Sequence, residues 1–254
     1  MSKFDILLRI LDQIRTEGVA EGFSSYGGNA TQPEAIIHAR SKAYIHLFLK
    51  VKFGVLGFVD RETYITDGTQ DGGIDGYFID SASKLIYFIQ SKFRTTEEAF
   101  KSREITLKEI ASMDIGRITS GDTNDETGIP YNGKIQTLIR RIAEIEDIGR
   151  HKYRIIIIAN VRHISSAVLK NLTGGFAVEI FDFERCFSEL VFPVLTGTYF
   201  QKEDLSILLD LSNKNAGAKI NYEVSTSHGS CDITVLFVPT IEIAKIMSST
   251  ETPY

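Results

Sequence analysis

Thr66-Asp67-Gly68-Thr69-Gln70-Asp71-Gly72-Gly73-Ile74-Asp75-Gly76, followed after a polar turn by Leu85-Ile86-Tyr87-Phe88-Ile89-Gln90-Ser91-Lys92, is the stretch on which the fold turns. Its first part is polar and rich in glycine. Two apolar, β-prone runs follow, about 74–79 and 85–93, joined by Asp80-Ser81-Ala82-Ser83-Lys84. That pattern predicts a β-hairpin. A turn centred near Ala82 sets Asp75 across from Ile89 or Gln90. Side chains alternate along a strand, so Gln90 and Lys92 share a face while Ser91 points away. One of the two registers gathers Asp75, Gln90 and Lys92 on that face. A lysine inside an otherwise apolar strand calls for a reason, because unpaired buried charge is costly.

Working outward, Phe4, Leu7, Leu8, Leu11 and Ile14 recur at helical spacing, with a stop expected near Gly18. A longer helix is predicted from Thr31-Gln32-Pro33-Glu34 to about Lys52, Thr31 and Glu34 having the spacing of a capping box. After Gly54 the pattern becomes extended. Beyond the hairpin, helices are expected over 95–115 and 134–148 and a strand over 153–159, four of whose residues are consecutive isoleucines. A helix at 165–172, a strand at 177–181 and a helix capped by Asp182 complete the series. This order predicts an α/β fold, helices flanking a mixed central sheet. Residues 1–195 read as one domain and 196–254 as the start of a second, β-containing region. Two strands are expected within 218–238 and a short helix within 241–247; so small a β unit reads as the beginning of something longer.

The composition sets bounds. An apolar fraction of 43% with 24% charged residues fits a globular chain and argues against a disordered or fibrous one. The net charge of -5 offers no overall attraction to nucleic acid, so any such contact must rest on local basic patches. Arg40, Lys42, Lys50 and Lys52 form one, Arg94, Lys101, Arg103 and Lys108 a second, and Arg140, Arg141, Arg150, Lys152 and Arg154 a third. Each is equally readable as a solvated helix face. Cys186 and Cys231 are too few for a thiolate metal cluster within the chain. With no leader pattern or long apolar run, the reading is a cytoplasmic protein without a membrane partner.

The hairpin residues suit one chemistry. Phosphodiester hydrolysis uses a hard cation, Mg2+ or Mn2+, bound by oxygen ligands. Asp75 is the expected anionic ligand, with the Gln90 side-chain oxygen and the Ser91 main-chain carbonyl as neutral ones. Lys92 would orient or deprotonate water or stabilise phosphoryl charge. Gln90 carries one negative charge fewer than a glutamate would, so a further acid is sought. Glu34 on the preceding helix is the first candidate and Asp71 the second, although Glu34 suits a capping role and Asp67 and Asp71 suit turns.

These residues resemble the PD-(D/E)XK nuclease superfamily, in which an aspartate on one strand precedes a (Glu/Gln)-x-Lys on the next. The Gln variant is similar to that of Mrr-type restriction endonucleases. A closer likeness is to the N-terminal region of abortive infection phage resistance (AIPR) proteins, carried by Thr66-Asp67-Gly68, Gly73-Ile74-Asp75-Gly76 and Ile89-Gln90-Ser91-Lys92-Phe93. Phe237-Val238-Pro239 with Glu242-Ile243-Ala244 adds a weaker match. The resemblance implies a restriction-endonuclease-like fold and a metal-dependent nuclease of bacterial anti-phage defence, acting on nucleic acid with DNA favoured. It leaves open a homodimer and a partner or regulatory region beyond residue 254. The alternatives are a catalytically inactive module of the same fold that binds nucleic acid or a partner protein, and a sensor. Other chemistries lack their patterns. The glycine-rich loop has no Gly-Lys-Ser/Thr ending, the five histidines have no zinc spacing, and Ser165 and Ser166 have no nucleophile-elbow context.

Overall fold

The computed structural model describes residues 2–28, 31–198, 219–226, 229–236 and 240. The chain divides into two compact units, Met1–Leu195 forming the bulk of the first and the hairpin near the C-terminus belonging to the second.

In the first unit, α1 (Lys3–Ala20), α2 (Pro33–Phe53) and the short α3 (Phe58–Glu62) precede the hairpin of β1 (Gly76–Asp80) and β2 (Leu85–Ser91). Three short helices, α4 (Glu97–Ser102), α5 (Leu107–Ala111) and α6 (Ile115–Ser120), lead to α7 (Gly133–Ala143). Then come β3 (Lys152–Ile158), α8 (Ser166–Leu172) and β4 (Ala177–Ile180). Next α9 (Phe183–Cys186) passes through a π-helical turn, Phe187–Val191, into α10 (Phe192–Thr196). The sheet order is β1-β2-β3-β4, with β1 antiparallel to β2 and the remaining pairs parallel. This is the expected mixed sheet flanked by helices.

The isoleucine run explains why the sheet is buried on both faces. Ile156 and Ile158 join Ile89 and Phe78 in a core with α1 and α2, built on Leu7, Leu11, Tyr44, Leu47 and Phe48. Ile155 and Ile157 turn the other way, joining Ile86, Phe88 and Tyr77 against Ile110, Ile118, Ile135 and Leu138 of α5, α6 and α7. Alternation thus assigns α2 to one face of the sheet and α5–α7 to the other.

Several elements depart from expectation. Helix α1 runs through Gly18, where an added Cβ would lie 2.5 Å from the Phe58 ring, so this glycine serves close packing rather than a stop. Helix α2 starts at Pro33 with Gln32 as N-cap and no side-chain capping bond, so the Thr31/Glu34 box is not formed. The helix expected over 95–115 is broken into short pieces: Thr96 caps the first through Ala99 N–H, Thr106 caps the second through Glu109 N–H, and a third begins at Ile115 with no side-chain cap. Helix α3 stands where an extended segment was expected.

α3 earns its place through a buried polar network. Arg61, His46 and Tyr26 are fully buried. Arg61 donates to Glu17 (2.7 Å), to the carbonyls of Val55 (3.1 Å) and Leu56, and through Nε to His46 Nδ1 (3.2 Å). The accepting Nδ1 leaves the imidazole proton on Nε2, which faces Tyr26 Oη at 2.7 Å and Glu62 Oε2 at 3.1 Å. Tyr26 donates to Glu62, and Lys134 of α7 donates to its other oxygen at 3.0 Å.

In the second unit, β5 (Lys219–Thr226) and β6 (Gly229–Leu236) pair antiparallel, as the two strands expected within 218–238. The helix expected at 241–247, and the resemblance carried by residues 237–239 and 242–244, lie outside the described residues. Among the described residues no helix is long and apolar enough to cross a membrane.

Candidate metal centre

The β1–β2 register pairs Gly76 with Ile89, which brings Asp75 level with Gln90. By alternation Asp75 shares a face with Tyr77, and Gln90 and Lys92 share one with Phe88, so all three lie on the α5–α7 side. They line one open cleft of about 530 Å³.

Segment 64–67 runs beside β1. Tyr77 donates to the Tyr64 carbonyl at 2.9 Å, and the N–H groups of Thr66 and Asp67 both donate to the Asp75 carbonyl at 3.0 and 3.1 Å. The chain then turns through Gly68–Gly73 and returns to Asp75. The Asp71 carboxylate closes this turn, accepting from Gly73 N–H at 2.9 Å and Gly68 N–H at 3.1 Å. Gly72 and Gly73 are left-handed, at φ 60° and 68°. A Cβ on Gly73 would lie 2.6 Å from the Ser112 carbonyl oxygen, so no larger residue fits there without displacing backbone. The fold-back gathers Asp67, Asp71 and Asp75 with a carboxylate oxygen of each within 4.8 Å of the others.

Gln90 is 2% exposed. Its Nε2 donates to the Glu109 carbonyl at 2.9 Å, which fixes the amide orientation, and its Oε1 is buried with no hydrogen-bond partner. Asp67 Oδ2 is likewise buried and without a partner. Ser91 donates its N–H to Asp75 Oδ2 at 2.7 Å and so orients that carboxylate; its own Oγ is partnerless. Lys92 lies 3.7 Å from the Glu109 carboxylate, which is also held by Thr106 in a capping box.

Burial, and then the neighbouring charges of Asp67 and Asp71, push the Asp75 carboxyl up to about 7 against the opposing pull of Ser91 N–H and Lys92. Burial also raises Asp71, although the Gly68 and Gly73 N–H groups oppose it. Two unit charges 4.8 Å apart repel by about 3 kcal/mol at an effective dielectric near 20. Three clustered carboxylates and an unmet amide oxygen make an all-oxygen donor set. That set fits a hard divalent cation.

The structure therefore brings Asp75, Gln90 and Lys92 together as the hairpin predicts. Glu34 is corrected: it is exposed on the first turn of α2, whose buried side packs on the opposite face of the sheet, and it does not line the cleft. Ser91 acts on the site through its N–H to Asp75 and is not among the residues lining the cleft. The acids clustered with Asp75 are instead Asp71, the second candidate from sequence, and Asp67, read there as a turn former. Asp114 and Tyr131 on the far wall, joined by a 2.8 Å hydrogen bond, went unread because no local pattern ties them to the hairpin. Of the basic patches, α2's is largely engaged, Arg40 with Asp12, Lys50 with Glu17 and Lys52 with Glu189. Arg103 and Lys108 are exposed on the stretch that also carries Glu109.

No protein-family model matches the chain, and no curated protein or solved structure matches it.

Proposed function

We propose that this chain is a divalent-metal-dependent nuclease, a QxK variant of the restriction-endonuclease-like scaffold, hydrolysing phosphodiester bonds of nucleic acid with DNA favoured. The carrying observation is the donor set itself: three carboxylates within 4.8 Å, lining one cleft together with Lys92 and with Gln90, whose side-chain oxygen is buried and partnerless. Asp67, Asp71, Asp75 and Gln90 would hold the cation. Once bound, Mg2+ or Mn2+ would lower the pKa of water and offset phosphate charge. Asp75 is aimed by Ser91 N–H, and Lys92, tethered by Glu109, offers an ammonium to a phosphoryl oxygen. The likeness to abortive infection proteins supports a role in bacterial defence, in the cytoplasm.

The test is incubation of purified protein with supercoiled plasmid, and separately with single-stranded RNA, in Mg2+, Mn2+ or EDTA. Cleavage is expected with either metal and lost in EDTA, in Lys92→Ala and in Asp75→Ala. Undiminished cleavage in EDTA overturns the mechanism. Metal binding without cleavage of either substrate points instead to a binding module.

A further inference from the structure

Three clustered carboxylates repel one another, and against that repulsion bonds from outside help to hold their loop. Asn132, the residue before α7, makes three bonds to it. Its Nδ2 donates to the carbonyls of Thr66 and Thr69, both at 3.2 Å, and its main-chain N–H donates to the Gln70 carbonyl at 2.8 Å. Those carbonyls bracket Asp67 and immediately precede Asp71. Gln70 is left-handed at φ 58°, a conformation costly for a residue with a side chain, and its carbonyl accepts from Asn132. Meanwhile Asn132 Oδ1 accepts from Lys134 and Ile135 N–H, both at 3.0 Å, capping α7. One side chain therefore ties the start of an eleven-residue helix to the acidic loop.

We propose that Asn132 is a positioning residue for the metal centre, its amide NH2 setting the loop so that Asp67 and Asp71 face Asp75. The inference rests on the metal-centre reading above. It assigns the carboxamide two separable jobs: the oxygen caps the helix, and the nitrogen shapes the site.

Substitution separates them. Asn132→Ser keeps a good N-cap oxygen but loses the donor to Thr66 and Thr69; Asn132→Ala loses both. Mn2+ titration calorimetry and thermal unfolding in EDTA would be run on wild type and both variants, with amide hydrogen exchange across 68–73 and α7. In Asn132→Ser we expect Tm in EDTA near wild type, faster exchange confined to 68–73, and Mn2+ affinity lower by about tenfold, a loss measured directly as a Kd ratio. Asn132→Ala should lose the affinity and Tm together. If Asn132→Ser binds Mn2+ like wild type, with unchanged exchange in the loop, Asn132 is a helix cap alone and the inference is overturned while the metal centre stands. If exchange rises throughout α7 as well as the loop, the two jobs are not separable and the inference is also overturned. If wild type itself takes no Mn2+, the metal-centre reading fails and carries the inference with it.

Discussion

Gln90 uses one end of its amide to donate to the Glu109 carbonyl and keeps the other, a buried oxygen, without a hydrogen-bond partner. A glutamate there would set a carboxylate oxygen against the Glu109 carbonyl. Gln90→Glu is therefore expected to lower metal-free stability by about 1–3 kcal/mol, the range for a buried polar group deprived of its partner. Added Mn2+ should narrow the gap, since the extra charge favours the cation; urea unfolding with and without Mn2+ measures both. Asp75 gives a pH prediction. Its folded pKa is raised from 3.8 to about 7, so its contribution is fully present below about pH 4 and is lost as pH rises to 7. In EDTA, Asp75→Asn should thus raise Tm relative to wild type at pH 8 and not at pH 4; equal Tm differences at both pH values would contradict it. At this scale the sequence was readable where strand alternation applies, at Asp75, Gln90 and Lys92. It misled at Glu34, because a capping motif does not reveal which face of the sheet its helix will cover. Asp71 is both a turn former and a neighbour of the other acids; the sequence offered both readings, whereas for Asp67 it offered only the turn.

Among the elements, the loop 66–75 is the one whose shape the site depends on. Gly73→Ala would force a Cβ to 2.6 Å from the Ser112 carbonyl oxygen in a left-handed conformation. A cost of about 2 kcal/mol or more is expected. Because the displaced backbone carries Asp71 and Asp75, Mn2+ affinity should fall with it. Denaturant unfolding and calorimetry on the one variant check both; a stable variant with wild-type affinity would show that the loop tolerates rearrangement. The hairpin and the isoleucine strand were legible because period two and β-branching speak locally. The first break within 95–115 was written in Thr106-Leu107-Lys108-Glu109, a capping box whose signal is easily passed over inside a helical pattern; the second, before Ile115, carries no such cap. Helix α3 was not legible, since its five residues are held by the buried network rather than by periodicity.

That network spans the first unit, joining α1, α2, α3 and α7 through Glu17, His46, Arg61, Glu62 and Lys134. Arg61→Met is expected to destabilise by about 1–3 kcal/mol, because it leaves the buried Nδ1 of His46 without its donor, whereas Glu17 is exposed enough to turn to water. Urea unfolding would measure it, and a change below about 1 kcal/mol would mean that the network relaxes freely. Burial alone would raise the Glu62 carboxyl, but hydrogen bonds from His46 and Tyr26 and the Lys134 ammonium outweigh it and hold it down to about 2. Its contribution is present above about pH 4.5 and is lost as pH falls towards 2, so Glu62→Gln should flatten the acid limb of a stability profile.

The order of the strands also sets a timetable. Asp75, Gln90 and Lys92 lie on or beside one local hairpin, a unit that closes in about 1–10 μs. Asn132 arrives about forty residues after Lys92, and strand β3 pairs with β2 only once the whole stretch from Lys92 to His151 has been gathered. A chain still emerging from the ribosome would thus display the proposed ligands before the residue proposed to position them had been made. On the nuclease reading proposed above, that delay would keep the nascent chain harmless beside the RNA that encodes it.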